Sequence, residues 1–267
     1  MSFEKKDKYT IEDLLEIMKI LRAPGGCPWD REQDHHSIRA SFIEETYEAV
    51  EAIDTDNTEL LKEELGDVLL QVVFHSRIEE EAGRFNFDDV ADGICKKMIV
   101  RHPHVFGDVT VENSADVLKN WDEIKKKTKS QKTQTEVLQS VSPALPALMR
   151  SAKVQHKAAK VGFDWPDISG ALDKVGEELA EVREAAKAGD PAHCQEELGD
   201  LLFAVVNVSR FLHVEPEQAL SLACNKFIGR FAGVEKLAAE RGIDMEKSSL
   251  EELDRLWDEV KRKEKSV

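Results

Sequence analysis

Apolar residues recur along this chain at three- and four-residue spacing, with no sustained alternation, so the pattern predicts helices throughout. Thr10 with Asp13 signals the start of an amphipathic run over 11–21, which Pro24-Gly25-Gly26 stops. A loop over 23–36 follows. Ser37 is placed to cap a helix reaching about Ile53, and Asn57 one ending near Gly83. Residues 88–101 predict a fourth helix, closed by Pro103, and 114–129 a fifth.

The second half repeats this plan. A helix runs from near Ser142-Pro143 to Gly162, and the turn Phe163-Asp164-Trp165-Pro166-Asp167 leads to another closed by Gly189. Asp190-Pro191 then supplies a cap and a first-turn proline. A long helix spans 215–242, and Ser249 with Glu252 opens the last. Residues 125–136 are polar and aperiodic, reading as a linker or as an extension of the fifth helix. The expected fold is all-α: two tandem helical domains, 1–128 and 142–267, joined by a linker over 129–141.

The repeat extends to chemistry. Glu45, Glu48, Glu64 and Asp67 stand at offsets of 3, 16 and 3, and Glu178, Glu181, Glu197 and Asp200 repeat those offsets. Carboxylates three apart share a helix face, so each set can oppose two acidic pairs across a helical hairpin. In helical projection Ile38, Phe42, Ala49 and Ile53 form an apolar stripe with Glu45 inside it and Glu48 at its edge, while Glu44 and Glu51 point away. Ala171, Val175, Leu179 and Val182 enclose Glu178 in the same way. On the partner helices, Glu64 and Asp67 share a face with Leu60 and Phe74, and Glu197 and Asp200 with Ala204, Val208 and Phe211. A charge turned toward a core needs a counter-charge. Inward placement and duplication thus disfavour a merely solvated acidic face or a buried acid–base lattice. Gly66 and Gly199 lie mid-helix, where glycine costs about 1 kcal/mol relative to alanine, so another helix or a ligand is expected close by.

Hard oxygen donors without cysteine or histidine suit Mg²⁺ or Mn²⁺ better than zinc or copper. A di-iron bundle would want Glu-x-x-His on two helices, and Glu32-x-x-His35 has no counterpart in the second half. His35-His36 and His102-Pro103-His104 read as turn and loop residues. Positive and aromatic positions also recur: Lys97 and Arg101 with Trp121 and Lys125, then Lys226 and Arg230 with Trp257 and Lys261. Such groups beside a cation can hold a polyphosphate and stack on a base. No GxxxxGK[ST] cradle is present.

The net charge of -16 argues against a non-specific nucleic-acid or acidic-membrane binder. Four scattered cysteines fit a reducing compartment, MSFEKKDKYT has no apolar signal core, and the runs 68–74 and 201–206 are too short to span a bilayer. A cytoplasmic protein without membrane or nucleic-acid partners is expected.

Together these residues resemble the MazG family of nucleoside triphosphate pyrophosphohydrolases in its long, two-domain form. The likeness rests on EExxE followed by ExxD in both halves, CPWDREQDH, RHPHVFGD, VGFDW and the terminal WDEVKRK, and runs from about Thr10 to Lys263. It implies two MazG-like helical bundles acting as a homodimer, with nucleoside and deoxynucleoside triphosphates converted to monophosphate and pyrophosphate using Mg²⁺, Mn²⁺ being a possible substitute. Nucleotide-pool house-cleaning would be the role. The resemblance makes Glu178, Glu181, Glu197 and Asp200 the catalytic metal ligands, with Lys226, Arg230, Trp257 and Lys261 around the nucleotide. Glu45, Glu48, Glu64 and Asp67 form the second metal set, with Lys97, Arg101, Trp121 and Lys125 beside it. The first half departs from the pattern in its shorter fourth helix and its HPH segment. Alternatives are a base-specific dUTP- or dCTP-type pyrophosphatase and a non-catalytic helical regulatory module, against which the intact ligand sets argue.

Overall fold

The computed structural model describes residues 3–111, 113, 117, 120, 121, 124 and 132–264, all of them in helices, turns and loops with no strand. The chain divides into two compact units, Met1–Thr128 and Lys129–Val267. Most of the expected fifth helix, with Lys125, lies outside the described residues.

In the first unit α1 (Ile11–Arg22) starts at a Thr10–Asp13 capping box. A short α2 (Pro28–Glu32) sits inside the expected loop, with proline at a helix start where its missing N–H costs nothing. The paired helices are α3 (Arg39–Asp54) and α4 (Thr58–Glu81), and Asn57 caps the second by accepting from the Leu60 N–H. Ser37 does not cap α3. It closes a turn with Asp34, whose Oδ1 accepts from the Ser37 and His36 N–H groups, and the helix begins two residues later. α5 (Phe87–Arg101) opens at an Asn86–Asp89 box, and α6 (Pro103–Phe106) follows. Both α1 and α5 pack on α4. Met18, Ile38, Val73 and Phe74 form the core there, each such side chain contributing about 1.5–3 kcal/mol by burial.

In the second unit, residues Gln134–Gln139 form a capped helix, α7, within the stretch read as linker, and its Val137 is buried. α8 (Ala147–Ala159) starts later than expected, after Pro146. α9 (Ile168–Ala188) and α10 (Pro191–Phe211) form the principal hairpin. Gly189, at φ 73°, takes the left-handed conformation that closes α9, and Asp190 caps α10 in the next residue. α8 packs on α10, while α11 (Pro216–Arg241) pairs with α12 (Leu250–Glu264) around Val234, Leu237, Ala238 and Leu256.

Candidate active site

The α9/α10 hairpin sets carboxylates on facing helices. Glu178 of α9 is buried, and its carboxylate lies with those of Glu197 and Asp200 of α10 so that one oxygen of each falls within 4.8 Å of the others. Glu181, one turn beyond Glu178, hydrogen-bonds to it. Burial first, then that bond and the charges of Glu178 and Glu197, hold the Glu181 carboxyl above the usual range. Lys174, one turn before Glu178, pairs with Glu178 and, at 2.9 Å, with Glu177.

The α3/α4 hairpin repeats the cluster with Glu45, Glu48 and Glu64, again within 4.8 Å. Burial and then the Asp67 and Glu48 charges raise Glu45; burial and then the Glu48 and Asp67 charges raise Glu64. Asp67 is therefore close enough to act on both, although it lies outside the three-oxygen cluster. The position matching Lys174 is Ser41, so this copy lacks that ammonium. Carboxylates gathered on facing helices and offering oxygen alone are the donor chemistry of a hard divalent cation.

Gly66 and Gly199 do not have the neighbours expected of them: a Cβ at either would meet nothing within 4 Å. Among the described residues nothing comes that close, so room remains there.

The basic and aromatic positions also form matching pairs. The Arg101 guanidinium lies 5.3 Å from the Trp121 ring and that of Arg230 5.9 Å from the Trp257 ring, where Phe227 also packs at 5.1 Å. Arg230 is tied to Glu264 at 2.9 Å, Lys261 stands 3.9 Å from Asp258, and Lys97 and Lys226 are exposed. Trp257 packs against the α11/α12 core. His35 is a structural residue: it bonds His75 at 2.7 Å and Glu79 at 2.5 Å, and Arg84 also holds Glu79. The Arg84 and His35 hydrogen bonds bring the Glu79 carboxyl down to about 2.

Beside the second carboxylate set opens a cavity of about 730 Å³, framed by α8, the turn after it and the α9/α10 hairpin. Lys174, Glu178 and Asp200 line it, as do Gln155, Asn207 and Arg210. Lys226, Arg230, Trp257 and Lys261 do not reach its wall. Arg210 pins the turn through Asp164 and donates to Asn207 Oδ1 at 3.1 and 2.9 Å. Phe163 stands at the rim, 83% exposed. The sequence reading missed Lys174, Gln155, Asn207 and Arg210, although Lys174 carried a signal: it is a cation four residues before a ligand, at a place where the repeat breaks. In the first unit the residue matching Asn207 is Phe74, buried in the core with Arg22 over its ring at 5.2 Å.

The MazG nucleotide pyrophosphohydrolase domain matches residues 33–106 and 169–234, one stretch in each unit. The nucleoside triphosphate pyrophosphohydrolase/pyrophosphatase MazG of Thermotoga maritima is 46% identical over 94% of this chain and 95% of its own length. The nucleoside triphosphate pyrophosphohydrolase of Escherichia coli K12 is 46% identical over 95% of this chain and 98% of its own. A longer Bacillus subtilis protein is 49% identical over 93% of this chain, which spans 51% of it.

Proposed function

The chain belongs to the MazG family of nucleotide pyrophosphohydrolases, and on that footing we propose that it converts nucleoside and deoxynucleoside triphosphates to monophosphate and pyrophosphate in its C-terminal unit. The observation that carries the choice of unit is the cavity beside Glu178 and Asp200. It is large enough for a nucleoside and brings one end of it to the carboxylates.

In this reading Glu178, Glu181, Glu197 and Asp200 hold Mg²⁺, with Mn²⁺ as a substitute. Mg²⁺ supplies charge neutralisation and Lewis-acid polarisation at the phosphates. Lys174, on the cavity wall, is placed to pair with a phosphate oxygen. Water attacks the α-phosphorus and pyrophosphate leaves. Glu177, beside the ligands and held by Lys174, takes the water's proton. Glu45, Glu48, Glu64 and Asp67 form a second cation site in the first unit, beside Lys97, Arg101 and Trp121, with Lys125 in the adjoining segment.

Self-association as a homodimer goes with this reading. On the principal hairpin Leu198, Leu202 and Val205 of α10 are about half exposed, as is Leu172 of α9. An apolar stripe of that kind suits a second copy of the chain, which brings further side chains to the site; Lys226, Arg230, Trp257 and Lys261 are our candidates. Light scattering should return twice the chain mass. A cytoplasmic, nucleic-acid-free setting fits the net charge of -16 and the free cysteines. No helix among the described residues is long and apolar enough to cross a membrane.

The test is to incubate the pure protein with each triphosphate and Mg²⁺ and resolve the products by anion exchange. Monophosphate with pyrophosphate is expected, and diphosphate with phosphate, or no turnover, overturns the reading. Glu178→Ala/Glu181→Ala should lower kcat by at least ~10²-fold, the size of loss seen when one stabilising group is removed. Glu45→Ala/Glu48→Ala should keep most of the rate.

A further inference from the structure

Two aromatic rings that line the C-terminal cavity have no aromatic or cationic partner among the described residues. Phe163 is 83% exposed and Trp165 45% exposed. The rings of Trp121 and Trp257, by contrast, are occupied: His102 and Arg101 lie against the first, Phe227 and Arg230 against the second. An exposed ring forgoes the stabilisation that burial brings, so a pair held open at a cavity calls for something to cover it.

The turn that carries this pair is fixed. Past the end of α8, Gly162 takes a φ of 84° and the Phe163 N–H bonds the Ala158 carbonyl at 3.3 Å. Asp164 Oδ1 accepts from the Trp165 N–H at 2.9 Å and is held from α10 by Arg210. The indole lies against the first turn of α9 at Gly170, where a Cβ would stand 2.8 Å from Cε3 and 2.9 Å from Cδ2. A larger residue at 170 would displace the ring.

α9 also sets the distance from the rings to the acids. Gly170, under the indole, precedes Glu178 by a little over two turns, or about 12 Å along the axis at 1.5 Å per residue. An extended nucleotide covers that distance between its base and its phosphates. Lys174, which pairs with Glu178 and lines the same cavity, falls between them on the helix.

Given a nucleoside triphosphate in this cavity, the premise carried over from the proposed function, we infer that Trp165 and Phe163 are base-contacting residues, against whose faces the nucleobase stacks. Stacking reads the flat face that every base has and not its hydrogen-bonding edge, so these rings select a nucleobase as a class.

The measurement is kcat/KM for ATP and for base-free ribose 5-triphosphate, which offers the same phosphates and sugar with no ring to stack. Wild-type protein should favour ATP by about tenfold or more, the scale of one base–aromatic stack. Trp165→Ala and Phe163→Ala should each lower kcat/KM for ATP by about tenfold, chiefly through KM, and leave the ribose triphosphate within about twofold. Trp165→Phe, which keeps a ring, should retain most of the rate on ATP. Equal use of the two substrates by wild type, an unchanged or equal response to both in the alanine variants, or a base-dependent loss confined to Trp257→Ala each overturns the role of these rings while leaving the pyrophosphohydrolase reading intact. Absence of turnover with any triphosphate in wild type overturns both. The wild-type comparison needs no variant to fold.

Discussion

A carboxyl group that is buried, and then set among other carboxylates, keeps its proton longer, and Glu45, Glu64 and Glu181 are all in that position. In the folded chain they titrate above the glutamate range of about 4.3 that holds when the chain is unfolded. Folding takes up protons at these sites, so their contribution favours the fold at low pH and declines as pH rises through that range and beyond. A divalent cation held as proposed would displace those protons and reverse the penalty. The rise in melting temperature on adding Mg²⁺ should therefore be larger at pH 7 than at pH 5, measured by differential scanning fluorimetry. Equal shifts at both would remove these carboxylates as ligands. The two three-carboxylate clusters were legible because their spacing repeats and Glu178 projects inward. Gln155 and Asn207 were not legible, since an isolated amide has no periodicity and its meaning depends on which carbonyl or guanidinium faces it.

Caps and stops were the most readable elements. Thr10 with Asp13, Asn57, Gly189 and Asp190-Pro191 all act as the sequence predicts, because capping is local chemistry within four residues. The reading slipped where a second local signal competes: Ser37 serves a turn with Asp34 three residues back, and Pro146 rather than Pro143 stands at the start of α8. The pairing of α11 with α12 turns on Gly233, where a Cβ would lie 3.0 and 3.1 Å from the two methyls of Val260. Gly233→Leu should push the helices apart and cost about 1–3 kcal/mol, read as a lowered urea midpoint of the second unit. Gly199 offers no such contact within the chain. Its mid-helix position was visible in the sequence, but what fills the space beside it was not.

At the scale of the molecule, tandem duplication was the most legible fact, since each half writes the same helices and acids. What duplication hides is divergence at single positions. The first unit keeps its four carboxylates but fills the place of Asn207 with Phe74, packed against Met18 and covered by Arg22. In Glu178→Ala/Glu181→Ala protein, Mg²⁺ should still raise the melting temperature through the first unit, and a non-hydrolysable triphosphate should add nothing further. An added shift would mean that a nucleotide enters there despite Phe74. The other divergent position, lysine at 174 against serine at 41, gives the duplicates different resting states. With cations stripped away, the C-terminal copy is still partly discharged by its own ammonium group, whereas its twin is left at full internal repulsion. On the proposed cation binding, a chelator should act on the two halves unequally, and the half without that ammonium is the one expected to lean on the ion to stay folded.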